Sequence, residues 1–210
     1  GITTLVTIVL PEVRRQVGLY DLIESSAEAA LSKQLSDGSM PPGHNGPYRI
    51  EETPARNTSH WLITFQKAHE ITGKAKFADA AGSALSYLCS DEIRPMQAAF
   101  WHINSPYIDF CNGLVGQAWT IEALAVAAKA TGNEKALRLA ESVFLMHPFN
   151  EQLGLWRRVN VEGTYVSPDP TFNHQLWFAA AGSILLPDCD EKIRDRVTRF
   201  LDVVHLNMAL

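Results

Sequence analysis

The segment Ala68-His-Glu-Ile-Thr-Gly73 returns as Ala127-Ala-Lys-Ala-Thr-Gly132, 59 residues further along the chain. In each copy an apolar, helix-forming run ends in Thr-Gly, a polar residue or two follows, and a second amphipathic run begins. The first copy predicts helices over Trp61–Thr72 and Ala75–Leu88, the second over Leu114–Ala130 and Glu134–Met146. A third copy runs from Phe172 to Leu186, turns at Pro187-Asp188 and returns over Asp190–Val204. One more helix, Glu12–Leu35, precedes them, with Val17, Leu19, Leu22, Ile23, Ala27, Ala30 and Leu31 near a helical period and Asp37-Gly38 as its stop.

The two helices of a unit differ in kind. The first ones are rich in alanine, with Ala118, Ala123, Ala125, Ala127 and Ala128 in the second copy and Ala179, Ala180 and Ala181 in the third. Small side chains let helices approach on more than one face, as an inner ring requires. The second ones carry charge, with Lys135, Arg138 and Glu141 or Lys192, Arg194, Arg196 and Arg199, and suit an outer ring with one wet face. A lone hairpin cannot bury its apolar side, so neighbours are needed. Recurrence of a two-helix unit at this period marks a helical solenoid or toroid. The predicted fold is all-α, repeated helical hairpins forming a partial or complete (α/α) toroid. Residues 1–210 are read as a single helical-hairpin domain, a fragment or short version of an α/α barrel. The β-branched run at residues 3–10 reads as a strand or as a buried helix remnant, and the start at Gly1 and the apolar finish at Leu206–Leu210 lead us to expect that both ends are cut.

Composition narrows the function. The 210 residues carry a formal net charge of −5 and are 46% apolar, enough for one substantial core and too apolar for a disordered chain. No basic stripe exists to neutralise a nucleic-acid backbone, so no nucleic-acid partner is expected. The absence of a long uninterrupted apolar run predicts no membrane crossing; the compartment is left open, with a cytoplasmic setting favoured. Cys89, Cys111 and Cys189 lack any zinc or redox spacing and are read as three buried thiols. Asn57-Thr58-Ser59 is a glycosylation sequon, which means little without a secretory context. Phosphate-loop, dinucleotide, zincin and calcium-loop motifs are all missing, so neither a metal nor an organic cofactor is expected.

The loops before the inner helices hold the chemistry. They are the proline- and glycine-broken stretch 36–58, which carries His44, Tyr48 and Arg56; Phe100–Gly113; and Leu155–His174. Since each precedes an inner helix, all three should gather at one end and form a mouth. Aromatic rings that face sugar C–H groups, with Asp, His, Gln and Arg for the hydroxyls, describe a carbohydrate cleft. Asp109 is the first catalytic candidate, because flanking Ile108 and Phe110 offer the partly desolvated setting of a general acid; its alternative is a helix-start residue. His60 and His174, near the starts of corresponding helices, are the next. Trp61, Trp101, Trp156, Trp177, Gln117, Arg157 and His44 complete the candidate set as substrate-binding residues. The expected partner is an oligosaccharide or uronate sugar, and the apolar terminal helices offer a homo-oligomer contact.

The stretch Tyr107-Ile-Asp-Phe-Cys-Asn-Gly-Leu-Val-Gly-Gln-Ala-Trp119, with the Ala-rich helix and Thr131-Gly132 behind it, resembles the hairpins of α/α-toroid carbohydrate-active proteins. It is most similar to the unsaturated glucuronyl and rhamnogalacturonyl hydrolases. That resemblance implies a hydrolase acting on uronate-containing oligosaccharides, in which Asp109 protonates the double bond of the sugar and then activates water. It also implies that His60 with Trp61 and His174 with Trp177 flank the site, and that Trp156 or Arg157 meets the uronate. Sugar epimerases and polysaccharide lyases share this fold, and a non-catalytic glycan- or protein-binding module is a further alternative.

Overall fold

A computed structural model describes residues 18–45, 48–186 and 189–208. Its helices are α1 (Leu19–Leu31), α2 (Pro54–Thr72), α3 (Ala75–Leu88), α4 (Gly113–Thr131), α5 (Glu134–Met146), α6 (Phe172–Leu185) and α7 (Glu191–Met208). Short strands are confined to the loops. β1 (His44–Asn45) pairs with β2 (Ile50–Glu51), and β3 (Phe149–Asn150), β4 (Leu155–Val159) and β5 (Tyr165–Pro168) form an antiparallel sheet in that order. The run at residues 3–10, the Pro187-Asp188 turn and the last two residues lie outside the described residues.

Both Thr-Gly pairs end a helix by the same chemistry. Gly73 and Gly132 sit in the left-handed region at φ 68° and 69° and donate their N–H groups to His69 and Ala128. Thr72 and Thr131 turn their hydroxyls back onto the carbonyls of Ala68 and Ala127, each at 2.7 Å. A residue with a Cβ is strained at such a φ, which is why glycine stands there twice. The start of α2 differs from expectation. Pro54 breaks nothing; it occupies the first helical turn, where its missing N–H would have no partner anyway, and Thr53 caps the helix. Arg56 and the sequon therefore lie within α2, with Thr58 and Ser59 buried.

Three of the helices form an inner layer. α4 packs between α2 and α6, while α3, α5 and α7 lie behind this layer and α1 packs on α2. Thirteen of the 19 residues of α4 are buried, whereas the outer helices bury one side each. Adjacent inner helices run parallel and in step, since Ser59 on α2 and Thr120 on α4 bring their hydroxyls to 3.1 Å. The densest part of the core lies between α5, α6 and β4. There Phe144 stacks on Phe178 at 4.7 Å, and Trp156 meets both edge-on at 5.6 and 5.4 Å. Trp156 is fully buried, so it is no stacking wall for a sugar; it faces the core because Leu155–Val159 is a strand whose alternate residues face inward.

The loops do share one end. Glu52 bridges to Ile103, Thr53 donates to His102 O at 2.8 Å, and Gly163 lies against Ala98, so the first, second and third loops touch in series. All three cysteines are free; Cys111 is buried and the other two are half-buried. Among the described residues no helix is long and apolar enough to cross a membrane.

Candidate active site

The N-terminus of α4 collects carboxylates from two different loops. Asp109 accepts the N–H groups of Cys111 and Gly113 at 2.9 and 3.1 Å. Asp169, reaching across from the third loop, accepts Leu114 N and Thr171 N, each at 3.0 Å. Unpaired N–H groups and the positive end of the helix dipole favour both anions. Burial works to raise the Asp169 carboxyl, but the two backbone donors and the His174 ring outweigh it and hold it below its ordinary value. His174 Nδ1 lies 3.0 Å from Asp169 Oδ2. An ionised carboxylate only accepts, so Nδ1 carries the proton and the neutral ring keeps a lone pair on Nε2. Gly113 makes this approach possible: a Cβ there would stand 2.7 Å from Asp169 Oδ2 and 3.3 Å from His174 Nδ1. Arg158 completes the group, with Nη1 3.6 Å from Asp109 and Nη2 donating to Ser167 Oγ at 2.8 Å.

A second group joins α2 to α4. The Arg56 guanidinium lies over the Trp119 ring at 4.5 Å and is tethered by the buried Glu52 carboxylate at 2.5 Å. The His60 and His102 rings pack on the same Trp119 at 5.6 and 6.1 Å. Ser59 donates to Ala55 O, so it takes the Thr120 proton, and Thr120 accepts from His102 Nε2. That leaves the buried Nδ1 of His102 as a lone pair without a partner. Burial pushes His102 down to about 3, with His60 and Arg56 adding to it, and burial followed by Arg56 lowers His60.

The residues of the inner helices that escape full burial fall at helical spacing. They are Arg56, His60, Ile63 and Lys67 on α2, Trp119, Glu122 and Val126 on α4, and His174, Trp177, Ala180 and Ile184 on α6. They line the side of the inner layer turned away from the outer helices. Burial raises the Glu122 carboxyl, and no hydrogen bond or ion pair reaches it among the described residues.

The structure brings Asp109 and His174 to one helix start and sets His60 and Trp177 on the same inner face. Other candidates go elsewhere. Gln117 is fully buried, and its amide is spent on Phe100 N, Phe100 O and Cys111 O, so it staples the second loop and has nothing left for a sugar. Gln175 staples Trp156 and Asp169 in the same way. Trp61 turns from the inner face toward α1, in a groove with Ala30, Met40 and Pro42. Trp101 donates its indole N–H to Ile103 O and rests on Phe110. His44 is exposed on the first-loop hairpin and Arg157 is exposed on β4, where Arg158 is the arginine that reaches Asp109. Ile108 and Phe110 are themselves 39% and 38% exposed, so the expected apolar setting of Asp109 is replaced by N–H donors and a guanidinium. The expectation passed over Asp169, Glu52 and Glu122. For Asp169 a signal existed: it precedes Gln175 by the six residues that separate Cys111 from Gln117.

No protein-family profile matches the chain. Comparison with solved structures gives the same architecture each time. Cellobiose 2-epimerase from Bacillus thermoamylovorans superposes with a TM-score of 0.64 at 16% identity, over 88% of this chain and 54% of that one. Cellobiose 2-epimerase from Spirochaeta thermophila gives 0.62 at 19%, over 88% and 53%. A D-mannose isomerase gives 0.60 at 17%, over 85% and 49%. The fold is that of an α/α toroid. In sequence the chain is 55% identical over 184 residues to archaeal glycosylation protein Q of Haloferax volcanii, covering 88% of this chain and 50% of that protein. The chain thus spans about half the length of the proteins it matches.

Proposed function

We propose that this chain carries the sugar-binding face of a carbohydrate epimerase or isomerase, with His174 as the base that moves a proton. The supporting observation is the His174–Asp169 pair, 3.0 Å apart, at the start of an inner helix in a fold shared with two cellobiose 2-epimerases and a D-mannose isomerase. Both reaction types take a proton from the carbon beside a carbonyl and return it elsewhere. That work suits an imidazole, which titrates near neutrality. Asp169 fixes the ring tautomer and stabilises the imidazolium once it forms, as the third member of a triad does. Trp119 and Trp177 present faces to the sugar, and Arg56 has donors to spare for its hydroxyls.

The hydrolase reading asks Asp109 to deliver a proton. Its oxygens already accept two N–H groups and face Arg158, an arrangement that favours anchoring α4. The epimerase alternative fits the geometry better. The name of the Haloferax relative makes a sugar destined for glycan assembly the natural substrate.

The test is hydrogen exchange at carbon. Incubation of the protein with D-mannose, D-fructose or cellobiose in D2O should replace the hydrogen beside the carbonyl by deuterium, read by proton NMR. His174→Gln should slow this by about 100-fold or more. Cleavage of 4,5-unsaturated uronate disaccharides with no exchange in any sugar would overturn the proposal and restore the hydrolase.

A further inference from the structure

We infer that Glu122 is the second proton carrier of this site, acting with His174 on one sugar from a level deeper in the inner face. This rests on the epimerase or isomerase reading. The other carboxylates around the site are engaged: Glu52 by Arg56, Asp109 by two N–H groups and Arg158, and Asp169 by two N–H groups and His174. On the inner helices Glu70 pairs with Lys67. Glu122 stands among the described residues with neither hydrogen bond nor ion pair, half-buried, three residues after Trp119 and on the same helix face. A carboxyl in that setting has unmet hydrogen-bonding capacity that a sugar oxygen would satisfy. Its burial raises the carboxyl, so it keeps a proton to higher pH than an exposed glutamate and can act as an acid.

The spacing along α4 matches the task. Gly113 lies against the His174 ring, and Glu122 is nine residues further on, about 13.5 Å of helix rise. Helical Cβ atoms tilt toward the N-terminus, so the Glu122 side chain is carried back toward the level of His174. An acid and a base on opposite sides of a two-carbon unit, each about 3 Å from its own atom, stand on the order of 8 Å apart. The reach of the glutamate side chain closes the rest of the distance to that range.

The chemistry balances without a further reactant. His174 Nε2 takes the proton from the carbon beside the carbonyl. The C–H electron pair becomes a C=C bond, and the carbonyl π pair takes the Glu122 proton, leaving an enediol, an imidazolium and a carboxylate. The carboxylate then removes the proton of the neighbouring hydroxyl while the imidazolium returns its own to the other carbon. Both groups are restored, and an aldose has become a ketose.

The experiment compares the unaltered chain with Glu122→Gln and Glu122→Asp, using D-mannose and D-fructose. Deuterium exchange by NMR reports chemistry, and quenching of tryptophan fluorescence by D-mannose reports binding. The expected result is a fall in kcat of about 100-fold in the Gln variant, with KM and the binding midpoint changed less than about threefold and partial recovery in the Asp variant. Exchange in the unaltered chain that survives unchanged in Glu122→Gln overturns the role of Glu122 and leaves that of His174 standing. Binding without exchange in the unaltered chain overturns the epimerase or isomerase reading and the proton role together. Absence of both binding and exchange does the same.

Discussion

Replacing Asp169 by alanine tests the junction between fold and chemistry. The side chain is 4% exposed and holds Leu114 N, Thr171 N and His174 Nδ1, each at 3.0 Å. A hydrogen bond to a charged group contributes about 1.5–3 kcal/mol. Leu114 N is buried in the first turn of α4 and keeps no substitute, whereas Thr171 is exposed and water can replace part of its loss. The two backbone bonds together set the loss at about 3 kcal/mol, which for a chain of this length lowers Tm by about 6–12 °C. The pH dependence has a definite sign. The folded carboxyl lies below its ordinary value of 3.8, so the unfolded chain binds the proton first as pH falls. The stabilisation is present in full above that value and is lost as pH drops through the lower, folded one. Urea unfolding followed by circular dichroism, for the unaltered chain and Asp169→Ala, should give a constant gap from pH 7 to 5 that narrows below 3.8. A gap under about 1 kcal/mol at pH 7, or one that widens in acid, would refute the assignment of Asp169 as the ionised cap of α4.

Gln117→Ala should destabilise by about 3 kcal/mol, from three neutral hydrogen bonds lost in a dry setting, and leave sugar binding by fluorescence titration unchanged. Trp156→Ala should cost about 3–5 kcal/mol in chemical denaturation, because it empties the centre of the aromatic core, again without altering sugar affinity. Below pH 6.5 stability should fall by about 1.4 kcal/mol per pH unit for each fully buried histidine, since burial pushes His147 down to about 4 and the unfolded chain takes up the proton first. His147→Leu should flatten the measured slope by one proton; an unchanged slope would show that His147 does not stay neutral in the folded chain.

The hairpins were legible because their punctuation is local. Thr-Gly ends an inner helix through one hydroxyl and one left-handed residue, and neither depends on tertiary contacts. Helix composition likewise separated inner from outer, since a helix packed on several sides must be apolar around its circumference. The start of α2 was misread because a proline at the first helical turn and a proline that breaks a helix look alike until the chain is folded. The loops were harder for a different reason. Aromatic and polar residues there were all read as lining a mouth, yet loops between packed helices must also be tied down, and buried amides do that here.

The repeat itself could have separated the two kinds. At an offset of 58 residues Gln117 falls on Gln175 and Trp119 on Trp177, and where the repeat holds, the structure shows a loop staple and an aromatic face. Where it fails, chemistry appears. Asp169 stands at the place of Cys111, and His174 at that of Gly116. Cys111 and Asp169 both offer a backbone carbonyl to the glutamine staple, so that scaffold function tolerates any side chain. The side chain was therefore free to become a carboxylate, and its neighbour one turn into α6 a histidine, without loosening the hairpin that carries them. Equivalent positions in a helical ring thus share the bonds that hold them and differ in the groups that face the sugar. A variant with Cys111 and Gly116 changed to Asp and His should expose the limit of that freedom. A Cβ at Gly116 would meet Cys111 O at 2.2 Å, so α4, unlike α6, has no room for the histidine and should lose its first turn, seen as a drop in helical circular dichroism.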